Sequence, residues 1–233
     1  MASQEQDQPV RRRTGAIAAR RREREEEILA ATRELFDAAG VRDAQIEDIA
    51  NAVGINRAII YRHFSGKEEL FALTLVGYLE EITAAMQSAD DPQASPSERL
   101  ASVSGAFLDY GQRYPAFGDC ALALLRRPGD ELLLDVSEAA MMRLGQGMVG
   151  AIGSLVTVLE AGQATGEFAQ RDPYLLANVL YAQALGALQL GRNQIAVSGD
   201  DEGSPEIHRV SFDQVRTYLV EAALVMATGP RPA

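Results

Sequence analysis

The side chains best equipped for chemistry sit in one short stretch, Asn56-Arg-Ala-Ile-Ile-Tyr-Arg-His-Phe64, followed closely by Lys67, the only lysine of the chain. Elsewhere the means for covalent chemistry are thin. There are two histidines, His63 and His208, and a single cysteine, Cys120. No His/Cys set has the spacing of a metal site, no phosphate-binding loop is present, and no nucleophile stands beside a base. An enzyme is disfavoured on these grounds, and no cofactor or metal is expected. The remaining chemistry of Arg57, Arg62 and Lys67 is recognition of charge and of hydrogen-bond acceptors.

Recognition needs elements that hold such groups outward. Ile46 to Val53 reads as a short helix, Gly54 breaks it, and Asn56 can cap a second short helix from Arg57 to about Phe64. This is helix-turn-helix spacing. Ile46, Ile49, Ala50, Val53, Ile55, Ile60 and Phe64 can pack the pair together and onto a preceding helix marked by Ile28, Thr32, Leu35, Phe36 and Ala39. Gly40 stands where a left-handed stop residue belongs. Arg57, Ala58, Ile59, Arg62 and His63 are left on other faces, as a helix that meets base edges in a major groove requires. Ser65 can cap the long helix that opens at Lys67 and runs to about Met86.

The stretch Gly54-Ile-Asn-Arg-Ala-Ile-Ile-Tyr-Arg-His-Phe-Ser-Gly-Lys-Glu-Glu-Leu70, preceded by Ile46-Glu-Asp-Ile-Ala50 and a helix ending in Ala39-Gly40, resembles the tetracycline-repressor-like (TetR/AcrR) regulators over roughly residues 25–75. The resemblance implies an all-α fold: an N-terminal three-helix helix-turn-helix domain and a larger helical domain for ligand binding and dimerisation. It implies that Arg57, Ala58 and Ile59 face bases, with Arg57 suited to guanine and Ile59 to a thymine methyl. Tyr61 and Lys67 would reach phosphates. Thr or Ser usually opens the second helix in that family. Here Ala44 and Gln45 stand there, so Asp43 is the expected cap and Gln45 a candidate phosphate contact. Other readings stand beside these. Asn56 is a cap before it is a base reader, and Tyr61 and His63 can be structural.

The net charge of −11 conflicts with DNA binding only until the chain is divided. Residues 1–67 hold 12 basic and 11 acidic side chains, and residues 68–233 hold 10 and 22. Affinity follows the local field at the phosphates, not the total. Arg11, Arg12, Arg13, Arg20, Arg21, Arg22 and Arg24 precede the first helix as either a solvated tail or an arm lying on DNA. Residues 1–22 are expected to be a disordered basic arm, 23–70 the helix-turn-helix domain, and 71–233 the ligand-binding and dimerisation domain. One cysteine excludes an internal disulfide and fits a cytoplasmic setting. No run of about 18 apolar residues suggests a membrane span.

Past a linker at 90–97 the pattern is helical: about 98–113, 118–126, 131–164, 173–197 and 210–227, with a polar loop at 198–206 and no strand. Phe107, Tyr110, Tyr114, Phe117, Met141, Met142, Met148, Asn178 and Tyr181 are the candidates for a pocket that takes a small-molecule effector, or else ordinary core. Asp109, Gln112 and Gln146 could add polar contacts. Cys120 reads as a small buried hydrophobe. The helices near 173–197 and 210–227, rich in small residues, are expected to form a homodimer interface, with internal packing as the alternative. The sum is a repressor that holds pseudo-palindromic operator DNA as a dimer until a ligand releases it. A ligand-independent architectural DNA binder is the competing possibility.

Overall fold

The computed structural model describes residues 7–41, 43–126, 134–199 and 203–229, with side chains from Gly15 onward. The described residues form an α-helical head and a larger α-helical body. The head consists of α1 (Asp7–Ala39), α2 (Ile46–Val53) and α3 (Arg57–His63). The body consists of α4 (Lys67–Ala89), α5 (Pro96–Arg113), α6 (Pro115–Leu125), α7 (Glu138–Thr165), α8 (Pro173–Asn193) and α9 (Phe212–Thr228).

Local signals fix most ends. Gly40 and Gly54 take left-handed conformations, with φ of 85° and 71°, and terminate α1 and α2. Ser95 opens α5 in a reciprocal cap with Glu98, ahead of Pro96. Asp172 accepts hydrogen bonds from the backbone N–H groups of Tyr174 and Leu175 before Pro173 opens α8. The expected arm behaves differently: α1 runs back to Asp7, so residues 15–22 are helical and exposed. Ala16, Ala18, Ala19 and the arginines are strong helix formers that carry the helix through the single weak position at Gly15. Residues 1–6, and the side chains of Arg11, Arg12 and Arg13, lie outside the described set.

Three other expectations need correction. Gly66, not Ser65, is the N-cap of α4, and the Ser65 hydroxyl donates to the Asp135 carbonyl. Gln45, not Asp43, is the N-cap of α2, and its backbone N–H donates to Asp48 at 3.2 Å. Finally, α8 stops at Asn193, and a two-stranded antiparallel hairpin follows, β1 (Ile195–Gly199) and β2 (Pro205–Arg209), pairing Val197 with Ile207. Gln194, left-handed with φ of 55°, turns the chain out of the helix. Alternation over only five residues on each side left little strand signal. Residues 131–133 of the expected 131–164 helix and 200–202 of the expected loop fall outside the described set.

In the body, α4 lies between α1 and α7 and also touches α5 and α6, while α8 and α9 pack on each other and on α5. Contrary to the reading from the sequence, α7 is long and apolar enough to cross a membrane by length and composition, with a mean hydropathy of 1.3 over its most apolar 18-residue window. Glycine, Ser, Thr and Gln interrupt the run and hid it. In this fold its Leu144, Ile152, Leu155, Val158 and Leu159 are buried in the shared core, against neighbours that include α4, α5 and α8.

Candidate functional site

The outer face of α3 is built from the inside. Ile60 and Phe64, 1 % and 2 % exposed, anchor the helix in a core with Ile28, Phe36, Ile49 and Ala50. The Asn56 carboxamide accepts from the Ala58 N–H at 2.9 Å, so Asn56 is a cap. With the inner face fixed, Arg57, Ala58, Tyr61 and Arg62 are exposed together, and Ile59 is half-buried. Arg57 is held only by a loose pair with Glu47 at 3.7 Å, both side chains in solvent. Tyr61 makes no hydrogen bond within the described chain. Gln45 is exposed at the start of α2.

Two expected contacts have structural duties as well. The Lys67 ammonium donates to the Ala44 carbonyl at 3.2 Å and lies 5.0 Å from the centre of the Phe71 ring. It ties the start of α4 to the entry of α2 and keeps two donors free. His63 is half-buried between α3 and α1, and its Nδ1 has no hydrogen-bond partner. Burial pushes the His63 pKa below its ordinary value, and Arg21, Arg24 and Arg62 lower it further against Glu25. Neutral His63 is therefore the folded form. Protonation favours the unfolded chain, so its contribution to stability is complete above about pH 6.5 and is lost as the pH falls below that value. Thermal melts from about pH 8 to about pH 5.5 are expected to show a declining midpoint whose slope is shallower in His63→Gln. Identical slopes would rule out this role.

Head and body are joined through side chains. The Arg33 guanidinium on α1 pairs with Glu81 on α4, Nη2 to Oε2 at 2.6 Å, and lies 4.5 Å from the centre of the Tyr78 ring. The Tyr110 hydroxyl on α5 donates to the same Glu81 carboxylate at 2.9 Å, and the Tyr78 hydroxyl donates to Asp37 at 2.7 Å. The bonds from Arg33 first, and from Tyr110, hold the Glu81 carboxyl below the usual carboxylate range against the opposing effect of burial. A second tie centres on buried Glu69, which accepts from the Ser65 N–H at 2.6 Å and from the Ser137 hydroxyl. Sequence reasoning missed both sets, because their members come from helices far apart in the chain.

The aromatic candidates do gather. Phe107 stacks edge-on with Phe117 and Tyr181, and Tyr110 with Phe117. They mostly pack on one another: Phe107 and Tyr181 line a cavity shared with Ser104, Leu155, Leu180, Ala184, Leu219 and Ala223. Tyr114 is half-buried against Tyr110. Met141 and Met148 are half-buried beside the core, but Met142 is 60 % exposed. Asn178 is exposed too, bonded to the Tyr174 carbonyl of its own helix. Met142 and Asn178 therefore do not belong to this cavity; each lies on the outward side of its helix. Cys120 is fully buried, and burial pushes its thiol pKa up, away from thiolate chemistry. Among the described residues no cluster of His, Cys, Asp and Glu could hold a metal.

Residues 28–74 match the family model for bacterial regulatory proteins of the tetR family. The chain is 29 % identical over 161 residues to the HTH-type transcriptional repressor NicS of Pseudomonas putida, covering 67 % of this chain and 71 % of that protein. It is 33 % identical over 84 residues to the repressor KstR2 of Mycobacterium tuberculosis, which is 36 % of this chain and 42 % of that one. The fold is shared with a tetR-family regulatory protein from Rhodococcus RHA1, at a TM-score of 0.62, 19 % identity and coverage of 88 % and 97 % of the two chains. It is shared equally with FadR from Bacillus subtilis, solved with stearoyl-CoA, at a TM-score of 0.62, 17 % identity and coverage of 86 % and 98 %. These relatives are named as transcription regulators: residues 28–74 of this chain carry the DNA-binding domain of the tetR family, and the chain as a whole shares the fold of solved tetR-family regulators.

Proposed function

We propose that the protein is a repressor that binds a pseudo-palindromic operator as a homodimer in the cytoplasm and leaves it when a small, mostly apolar ligand occupies the body. The observation that carries this reading is the exposed set Arg57, Ala58, Tyr61 and Arg62 on a helix whose inner face is locked. Arg57 and Ile59 read bases, while Tyr61, Lys67 and Gln45 position the head on phosphates. The dimer forms through the outward faces of α8 and α9, where Leu175, Val179, Leu190, Tyr218 and Val225 are exposed. Repression and ligand release accord with the relatives named repressors and with the stearoyl-CoA bound by FadR. A ligand shifts the DNA-bound population only by its differential affinity for the two states.

Selection of fragments of the source genome by the full chain tests the reading: it is expected to recover one or a few inverted repeats, and recovery of unrelated sequence would overturn it. On such an operator, Tyr61→Phe and Lys67→Ala are expected to weaken binding uniformly over a panel of base variants. Arg57→Ala should instead relax discrimination at one base pair by about 1–3 kcal/mol. Competitive titration separates the two patterns, and unchanged binding in all three variants would remove α3 from the interface.

A further inference from the structure

The body carries two voids that belong together. The inner one, walled by Phe107, Leu155, Leu180 and Tyr181, is apolar and small, about 20 Å³, no more than a water's room. Into that apolar wall is set the Ser104 hydroxyl, which is buried and has no hydrogen-bond partner. An orphaned buried hydroxyl loses water without compensation, and such a group persists where something else satisfies it. The outer void is a cleft of about 160 Å³ between α5, α6, α8 and the start of α9. Its polar groups are Gln112, Gln189, Arg192 and Gln194. The two voids lie one turn apart on the same helices: Phe107 and Ala184 face the inner one, and Gly111 and Leu188 the outer.

Leu188, in the wall of the outer void, stands one helical turn from Ala184 in the wall of the inner one. It packs directly over Gly111, where a Cβ would overlap it. The cleft mouth is marked by Gln194, the only non-glycine residue with positive φ among those described. Strain of this kind collects at binding sites. Charge in the cleft is already matched: Arg192 pairs with Asp119 at 2.7 Å, and the Gln189 amide leans on the same carboxylate. The inner wall has no charged side chain at all. A carboxylate head would compete with Asp119 for Arg192, whereas an amide head can bond the glutamines and leave that pair intact, and a charge at the inner end would be desolvated without a partner.

We propose that the effector is an uncharged amphiphile with oxygen at both ends. Its amide-like head lies among Gln112, Gln189 and Gln194, its apolar body displaces Leu188, and a terminal hydroxyl or keto oxygen reaches Ser104. From Ser104 to Gln112 is eight residues of helix, roughly 12 Å, the span of a medium-length acyl chain. This rests on the ligand-responsive reading given above and adds the ligand's class.

Calorimetric titration of the full chain, without DNA, uses three probes: ω-hydroxydecanamide, decanamide and ω-hydroxydecanoate. The hydroxyamide is expected to bind about tenfold more tightly than either of the others, as one net hydrogen bond or one avoided charge burial requires. In Ser104→Ala the preference over decanamide should vanish while binding of decanamide itself is kept. In Gln189→Leu the preference for amide over carboxylate should shrink. Equal binding of the three probes, or a hydroxyl preference that survives Ser104→Ala, overturns the proposal. Occupancy is read here without an operator, so failure of the ligand class is distinct from failure of the repressor reading, which fragment selection reports.

Discussion

Val179→Glu, and separately Leu175→Glu, yields a folded monomer whose operator affinity falls by roughly a hundredfold or more. Both side chains project from the outward face of α8, 36 % and 63 % exposed, so neither change opens the core of the subunit. In a twofold dimer each new carboxylate meets or neighbours its own copy and loses water against it. A single head then keeps half of the phosphate and base contacts and forfeits the effective concentration that joins the second. The side chosen matters. Leu188, on the opposite face of the same helix, is 6 % exposed and packs on Gly111, so Leu188→Glu would damage the subunit and say nothing about assembly. Sedimentation and operator titration on the same samples decide it. A dimer with normal affinity in both variants would move the interface elsewhere, and a monomer with full affinity would end the two-headed mechanism.

Gly162→Ala destabilises the protein by about 2–3 kcal/mol, within the range for an overpacked core. A Cβ at Gly162 would overlap the ring of Phe168, which is 3 % exposed and is held there by its own N–H donating to the Gly162 carbonyl at 2.9 Å. Backbone and ring are thus tied to each other and cannot part cheaply. For a chain of this size the midpoint should drop by about 5–10 °C. Gly166→Ala is the comparison: φ there is +78° with open space around it, so the change should cost about 1 kcal/mol through backbone conformation alone. If Gly162→Ala melts no lower than Gly166→Ala, the packing argument for this corner is wrong.

The head was legible because its signals are local. Gly40, Gly54 and Asn56 act within a turn of themselves, and the apolar spacing of Ile49, Ala50, Ile60 and Phe64 admits one arrangement of short helices. The body's helices were legible for the same reason, through caps such as Asp172 and Ser95. What escaped depends on contacts between distant segments. Arg33 is an ordinary helix arginine until α4 brings Glu81 beside it, and Ser104 is an ordinary helix serine until α8 and α9 cover it. Met142 and Asn178 show the converse: residue type suggested a pocket, but the phase of each helix turned them outward. The hairpin was missed because Val197 and Ile207 sit in strands of only five residues, and the left-handed Gln194 that ends α8 before them is a residue type that does not announce a helix stop.

The side-chain ties across the head–body boundary bear on how the molecule comes apart. Arg33 with Glu81, Tyr78 with Asp37, and Glu69 with Ser65 and Ser137 each take one partner from either side of the α3–α4 turn or from the segment before α7. The head has few buried side chains of its own and leans on α4 through Leu70 and Phe71. Loss of the body's packing therefore removes the head's support, and the two melt as one cooperative unit rather than in sequence. Anything that stabilises the body by binding there also guards the peptide bonds of α2 and α3 against a protease, some distance from where it binds.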